Sequence, residues 1–273
     1  MIEFVKMQGL GNDFIVIDAR KLSINNWPEL ARQLCHRRLG IGADQLLLLG
    51  DSHRGQYSMR IYNPDGSEAQ MCGNGIRCLA KYIWDRGLSQ ADCLEIETLA
   101  GIIRPGRAGE LVEVDMGQPI LEAERIPVKL SGRIIAYPLE IGEHLFPITC
   151  VSMGNPHCVI LVENLANAHV EAWGPQIERH HLFPERTNVE FVQVISPQEI
   201  KMRVWERGAG ITPACGTGAC ASAVAAALNH KTGRQVCVHL DGGDLQIRWQ
   251  EDNNRVYMTG PAVEVFKGAL SIT

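Results

Sequence analysis

Short runs of apolar residues, some uninterrupted and some alternating with polar ones, recur along this chain between clusters of Gly, Asn, Asp and Pro. That texture predicts strands over Ile2 to Met7, Phe14 to Asp18, Gln45 to Leu49 and Tyr57 to Tyr62, and again over Val189 to Ile195 and Lys201 to Trp205. Helical spacing appears in fewer places. Trp27 to Arg38 reads as a helix capped by Asn26 with Pro28 in its first turn, and a counterpart begins near Val170. Second helices are predicted over Gly75 to Arg86, closed by Gly87, and over Gly218 to Asn229, with Gly233 a little beyond.

These elements fall into two copies. Cys72-Gly73-Asn74-Gly75-Ile76-Arg77-Cys78-Leu79-Ala80 and Cys215-Gly216-Thr217-Gly218-Ala219-Cys220-Ala221-Ser222-Ala223 are related by a shift of 143 residues, about half the chain. Applied without a gap, the same shift lays Met59 to Asn63 on Met202 to Glu206, Gly11 to Ile17 on Gly154 to Ile160, and Gln45 on Asn188. Four collinear matches at one offset indicate two halves of common architecture. The expected fold is α+β: two pseudo-symmetric domains, each a strongly curved, mostly antiparallel, barrel-like β-sheet wrapped around a central helix, with the active site in the cleft between them. Turn chemistry at Gly117-Gln118-Pro119 sets the expected domains at 1–117 plus 263–273 and at 118–262, with a final strand around Val263 to Phe266 returning to the first.

Composition narrows the function. With 45% hydrophobic and 21% charged residues among 273, the chain is that of a globular protein, and a net charge of -5 gives no cationic field for nucleic acid or acidic lipid. Met1-Ile2-Glu3-Phe4 has neither the basic segment nor the apolar core of a secretory signal, and no apolar stretch reaches membrane-spanning length, so a cytoplasmic protein is expected. Nine cysteines is a high but odd count, scattered through apolar surroundings, which points to reduced thiols. The spacings Cys72 to Cys78 and Cys215 to Cys220 are not those of zinc knuckles, so no metal is expected.

Cys72 and Cys215 stand apart from the other thiols, because each sits just before a glycine-rich helix start in its own half. Unpaired N–H groups and the positive end of a helix stabilise an anion, so they can lower a thiol's pKa or hold a carboxylate. Gly73, Asn74 and Gly75, like Gly216, Thr217 and Gly218, keep bulk away so that a ligand can approach the backbone. A purely packing cysteine gains nothing from such neighbours in both copies; Cys78 and Cys220, among Ile, Leu and Ala, are read as core. If the halves face each other, one thiolate can take a proton from a carbon while the opposite thiol delivers one to its other face, which inverts a stereocentre. Paired polar positions, Asn12 with Asn155, Gln45 with Asn188 and Asn63 with Glu206, supply candidate ligands. Arg207 adds a guanidinium suited to a second carboxylate, and His157, with Glu206, is read as tuning a thiol. Gly9-Leu10-Gly11 and Gly40-Ile41-Gly42 match no phosphate-binding pattern, and no lysine stands in a context suggesting a Schiff base to pyridoxal phosphate.

Lys6 to Phe14, Gly42 to Gln45, Asn63 to Ser67, Met71 to Cys78, Gly154 to His157, Thr187 to Phe191, Trp205 to Gly208 and Ala214 to Cys220 together resemble the signatures of the diaminopimelate epimerase family over nearly the whole chain. The resemblance implies interconversion of LL- and meso-2,6-diaminopimelate in lysine and peptidoglycan precursor synthesis, without pyridoxal phosphate or metal. It implies that Cys72 and Cys215 are the acid/base pair and that Gly73, Asn74, Gly216 and Thr217 cradle the reacting carboxylate. Asn12, Gln45, Asn63, Asn155, Asn188, Glu206 and Arg207 would hold the ammonium groups and distal carboxylate, with His157 and Glu206 tuning the thiols. A homodimer is a further expectation. Competing readings are a racemase of proline or hydroxyproline, a fold relative without thiol chemistry, and a thiol-disulfide redox protein.

Overall fold

The computed structural model describes residues 1–271, so the last two positions of the predicted 263–273 segment lie outside the described residues. The chain forms two compact units, Met1–Val114 with Thr259 onward, and Asp115–Met258. In the first unit the strand order is Val263–Leu270, Ile2–Gly9, Asn12–Asp18, Gln45–Gly50, Tyr57–Tyr62, Ile96–Thr98 and Gly101–Ile103, with Glu68–Ala69 against Tyr57–Tyr62. Most neighbours are antiparallel; Asn12–Asp18 with Gln45–Gly50, and Tyr57–Tyr62 with Ile96–Thr98, are parallel. In the second unit Tyr137–Ile141, His144–Ser152, Pro156–Val162, Asn188–Ser196, Glu199–Glu206, Gln235–Leu240 and Gly243–Trp249 follow in order, with parallel pairs at the corresponding places. Each order is open rather than closed into a barrel.

The repeat extends to register. Phe14 pairs with Gln45 and Leu46 with Tyr62; His157 pairs with Asn188 and Val189 with Trp205, each displaced by the same offset. Because side chains alternate between faces, keeping register means that equivalent residues point to the same face in both units.

Among the described residues four α-helices accompany these strands: α1 Trp27–Cys35, α2 Gly73–Asp85, α3 Val170–Glu178 and α4 Gly216–Leu228. In α1, Asn26 caps the helix by accepting from the Glu29 N–H, and Trp27, Leu30, Ala31, Leu34 and Cys35 are buried in a cluster with Ile15, Ile17, Leu46 and Leu48. The helix stops three residues short of the expected Arg38, because His36 turns extended and the N–H groups of Gly42 and Ala43 take the last-turn carbonyls of Leu34 and Cys35. Burying residues of this size contributes about 1.5–3 kcal/mol each. That cluster, rather than propensity, holds a nine-residue helix in place.

α4 is apolar around most of its circumference, and all but Thr217, Ala227 and Leu228 are buried, as a helix surrounded by strands requires. Its neighbours are His144–Ser152, Pro156–Val162, Asn188–Ser196, Glu199–Glu206, Gln235–Leu240 and Gly243–Trp249. α2 is less enclosed: Ile76, Cys78, Leu79, Ala80 and Ile83 face the core, and Lys81, Tyr82 and Trp84 lie half-buried along the outer side. Both helices begin two residues earlier than the glycine pattern predicts, since Gly73 and Gly216 already have helical backbone. This makes Cys72 and Cys215 themselves the cap residues.

Candidate active site

Cys72 caps α2 with φ -141° and ψ 116°, and Cys215 caps α4 with φ -123° and ψ 110°. Each sulfur accepts a hydrogen bond from the N–H three residues on, Gly75 to Cys72 at 3.4 Å and Gly218 to Cys215 at 3.4 Å. A Ser, Thr or Asp ordinarily takes this position. Placing a thiol there puts sulfur against the positive end of the helix.

Around Cys72 the structure gathers several of the expected residues. The Cys72 thiol lies 3.7 Å from Asn12 Oδ1, which also accepts from Asn74 Nδ2 at 3.3 Å. Asn74 Oδ1 in turn accepts from the fully buried Arg77, whose guanidinium also reaches the carbonyls of Gly73 and Pro261. Asn12 Nδ2 donates to Asp44. Asp44 is tied with Asp13 to Arg37, and Asp13 is paired with the buried Lys6 at 2.7 Å. Burial opposes ionisation of Asp13, but hydrogen bonds from Arg37 and Lys6 outweigh it and hold this carboxyl well below the usual range. Asp13, Asp44 and Arg77, none of them expected as site residues, thus fix the Asn12 and Asn74 amides. Gln45 and Asn63 form a second pair, with Gln45 Nε2 donating to Asn63 Oδ1 at 2.8 Å, and Gln45 Oε1 is left buried without a partner.

Around Cys215 the surroundings are acidic. The sulfur lies 3.5 Å from the Thr217 hydroxyl. Glu206 accepts from the Thr212 hydroxyl, and burial is the main cause of the rise in its pKa, opposed by the bonds from Thr212 and Cys215. The Cys215 thiol is itself pushed well above its ordinary value, first by burial and then by Glu206 and Glu190, against the smaller opposing effect of Thr217 and the Gly218 N–H. The expectation that a helix start brings this thiol towards neutrality is therefore corrected: desolvation with two carboxylates close by outweighs the helix end.

His157 is fully buried and lies between two acceptors, Glu190 Oε1 at 2.6 Å from Nδ1 and Asn155 Oδ1 at 3.0 Å from Nε2. Asn188 donates to the Pro156 carbonyl and accepts from the Arg207 backbone N–H, while the exposed Arg207 side chain reaches the Glu185 carbonyl. Gly216 is buried in the first turn of α4. Glu190, like Asp13, Asp44 and Arg77, is a residue that sequence reasoning missed. It stands inside a strand between Val189 and Phe191, and the available signal was that the repeat offset lays this acid on the apolar Leu47.

The model of a family described as diaminopimelate epimerase matches residues 4–122 and 149–265. A diaminopimelate epimerase of Moorella thermoacetica is 55% identical, covering 98% of each chain. One from Acetivibrio thermocellus is 50% identical, covering 99% of each. Among solved structures, a phenazine biosynthesis protein of the PhzF family from Bacillus anthracis superposes with a TM-score of 0.72 at 18% identity, covering 99% of each chain. A probable proline racemase from Agrobacterium radiobacter does so with a TM-score of 0.70 at 16% identity, covering 100% of this chain and 94% of that one. At such identities these two carry the fold alone.

Proposed function

The chain belongs to the diaminopimelate epimerase family, and from that premise we propose how its residues invert the stereocentre that distinguishes LL- from meso-diaminopimelate, an amino-acid epimerisation in lysine and peptidoglycan precursor synthesis. Cys72 and Cys215 are the two bases. One sulfur, as thiolate, removes the Cα proton; the other, as thiol, delivers a proton to the opposite face, and the roles exchange in the reverse direction. The observation that carries this reading is the repeated cap, a thiol at the same position of both repeats with matching backbone angles.

Removal of a proton next to a carboxylate builds negative charge on that carboxylate's oxygens. The N–H groups at the starts of α2 and α4, in the segments Gly73-Asn74 and Gly216-Thr217, are donors suited to receive it. Gln45 Oε1, buried and unpartnered, is an acceptor for a substrate ammonium, and Asn12, Asn63, Asn155 and Asn188 complete the amide set. Arg207 and Glu206 receive the distal carboxylate and ammonium, with Glu206 and His157 also tuning Cys215. This chemistry calls for neither pyridoxal phosphate nor a metal ion, because the thiols make both transfers.

Replacing either Cys72 or Cys215 by Ala should reduce conversion of LL-diaminopimelate by at least about 1,000-fold, within the range for removing a group that acts as a unit with another. Turnover of L-proline at a comparable rate would refute the assignment of substrate.

No helix among the described residues is long and apolar enough to cross a membrane, and we propose a cytoplasmic protein, a reading supported by its similarity to bacterial diaminopimelate epimerases. We further assign it as a homodimer. Val263–Leu270 is the edge strand of its sheet and exposes Val263, Val265 and Phe266, which suits pairing with a second copy. Phe266→Glu should halve the mass seen by sedimentation; a wild-type monomer at micromolar concentration would contradict this.

A further inference from the structure

The two repeats handle one buried position in opposite ways. In the first, Phe14 and Leu47 are both buried, and Leu47 lies against the start of α2, where a Cβ added at Gly75 would meet Leu47 Cδ2 at 3.3 Å. In the second, the offset places His157 and Glu190 there, both fully buried, and a Cβ added at Gly218 would meet Glu190 Oε1 at 2.8 Å. An apolar pair thus serves one repeat, and an acid with an imidazole serves the other. Burying such a pair is no gain in stability over apolar side chains of similar volume. Glu190 Oε2 moreover has no hydrogen-bond partner, which a pair kept only for stability would not leave.

Both ring nitrogens of His157 face oxygen acceptors, the Glu190 carboxylate and the Asn155 amide oxygen. A neutral imidazole carries one N–H, whereas an imidazolium satisfies both bonds and gives Glu190 its counter-ion. Glu206, on the adjacent strand, is the other carboxylate close enough to interact with the ring's charge. A ring that donates to Asn155 Oδ1 fixes the amide of this half-buried residue, leaving its NH2 as the group to present. Asn12, its counterpart, has its oxygen engaged by Asn74 and its NH2 held by Asp44.

We propose that Glu190 is a positioning residue: it holds His157 as an imidazolium, and His157 in turn locks the Asn155 amide with its NH2 turned outward as a donor for a substrate carboxylate. The device makes the second repeat a dedicated carboxylate reader, with a rigid donor where the first repeat has an amide already occupied. It rests on the epimerase reading for the identity of the substrate, but not for the state of the ring.

The test is to follow the His157 ring nitrogens by NMR in protein labelled with nitrogen-15, for wild type and for Glu190→Gln. Wild type should show both nitrogens protonated at neutral pH, and Glu190→Gln should show a single neutral tautomer. In the same variant the KM for LL-diaminopimelate should rise about tenfold with kcat changed less, the loss expected when a hydrogen bond to an ionised group is no longer held in place. A neutral ring in wild type, an unchanged ring in Glu190→Gln, or a fall in kcat with KM unaltered would overturn the proposal. The repeat-swapped double variant His157→Phe, Glu190→Leu guards against misfolding. It should melt at or above the wild-type temperature yet show the raised KM, and wild-type KM in a folded double variant would make the pair merely structural. Should the wild-type protein fail to epimerise diaminopimelate, the substrate assignment falls while the ring spectrum still decides the state of the pair.

Discussion

A thiol in front of free backbone N–H groups is ordinarily held towards ionisation, and Cys215 shows how far burial can reverse this. Its neighbours Glu206 and Glu190 are acids, so the ionised sulfur would lie among like charges. Since the thiolate is the reactive species, alkylation of Cys215 by iodoacetamide should be slow at neutral pH and should still be rising with pH beyond the ordinary thiol value of 9.0, levelling off only above it. Glu206→Gln removes one of the negative charges and should move that inflection downward. Peptide mapping of alkylation across pH measures both, and rapid modification of Cys215 at pH 7 would contradict the assignment. The two cap cysteines could be read from the sequence because polar Gly-Asn-Gly and Gly-Thr-Gly neighbours are useless to a packing residue. Glu190, Asp44 and Arg77 could not. An acid inside a strand, an acid in a loop and a cation on a helix are each commonplace, and only their partners in space, His157, Asn12 and Asn74, reveal what they hold.

At the scale of elements, the ends of the two central helices differ in an instructive way. α2 is followed by Gly87 at φ 64°, a conformation glycine adopts freely, whereas the equivalent position after α4 is His230 at φ 56°. A side chain with a Cβ pays about 1 kcal/mol for this region. The exposed His230 is therefore a site where His230→Gly should stabilise the fold by a similar amount, raising the melting temperature by roughly 2–4 °C. A lower melting temperature would mean that the His230 side chain makes a compensating contact. Helix ends were where sequence reasoning was weakest. It looked to Gly233 beyond α4, while His36 and His230, residues with no particular turn preference, end α1 and α4 through the carbonyls that the following N–H groups reach. Strands were easier to place, since a buried face imposes an alternation that a shift by one residue would invert.

Over the whole molecule, the repeat was legible because it is written in identity as well as in pattern, and it continues into register: Phe14 on Gln45 and His157 on Asn188 are one pairing made twice. Departures from symmetry were not legible, because an offset comparison rewards likeness, and the difference between Phe14 with Leu47 and His157 with Glu190 registers only as a mismatch. Function divides along the same line. In the proposed mechanism the two thiol caps are alike, as two bases exchanging roles require, while their surroundings differ, as a site that reacts at one end of its substrate and only holds the other requires. A single experiment addresses the pair of bases directly: conversion of LL-diaminopimelate in deuterium oxide, with isotope content at Cα measured in product and in recovered substrate at low conversion. Two opposed thiols predict that the meso product carries solvent deuterium while recovered LL substrate carries almost none, because the proton removed on one face is not the one returned on the other. Early deuterium in both to equal extent would mean a single base serves both faces, and would contradict the account.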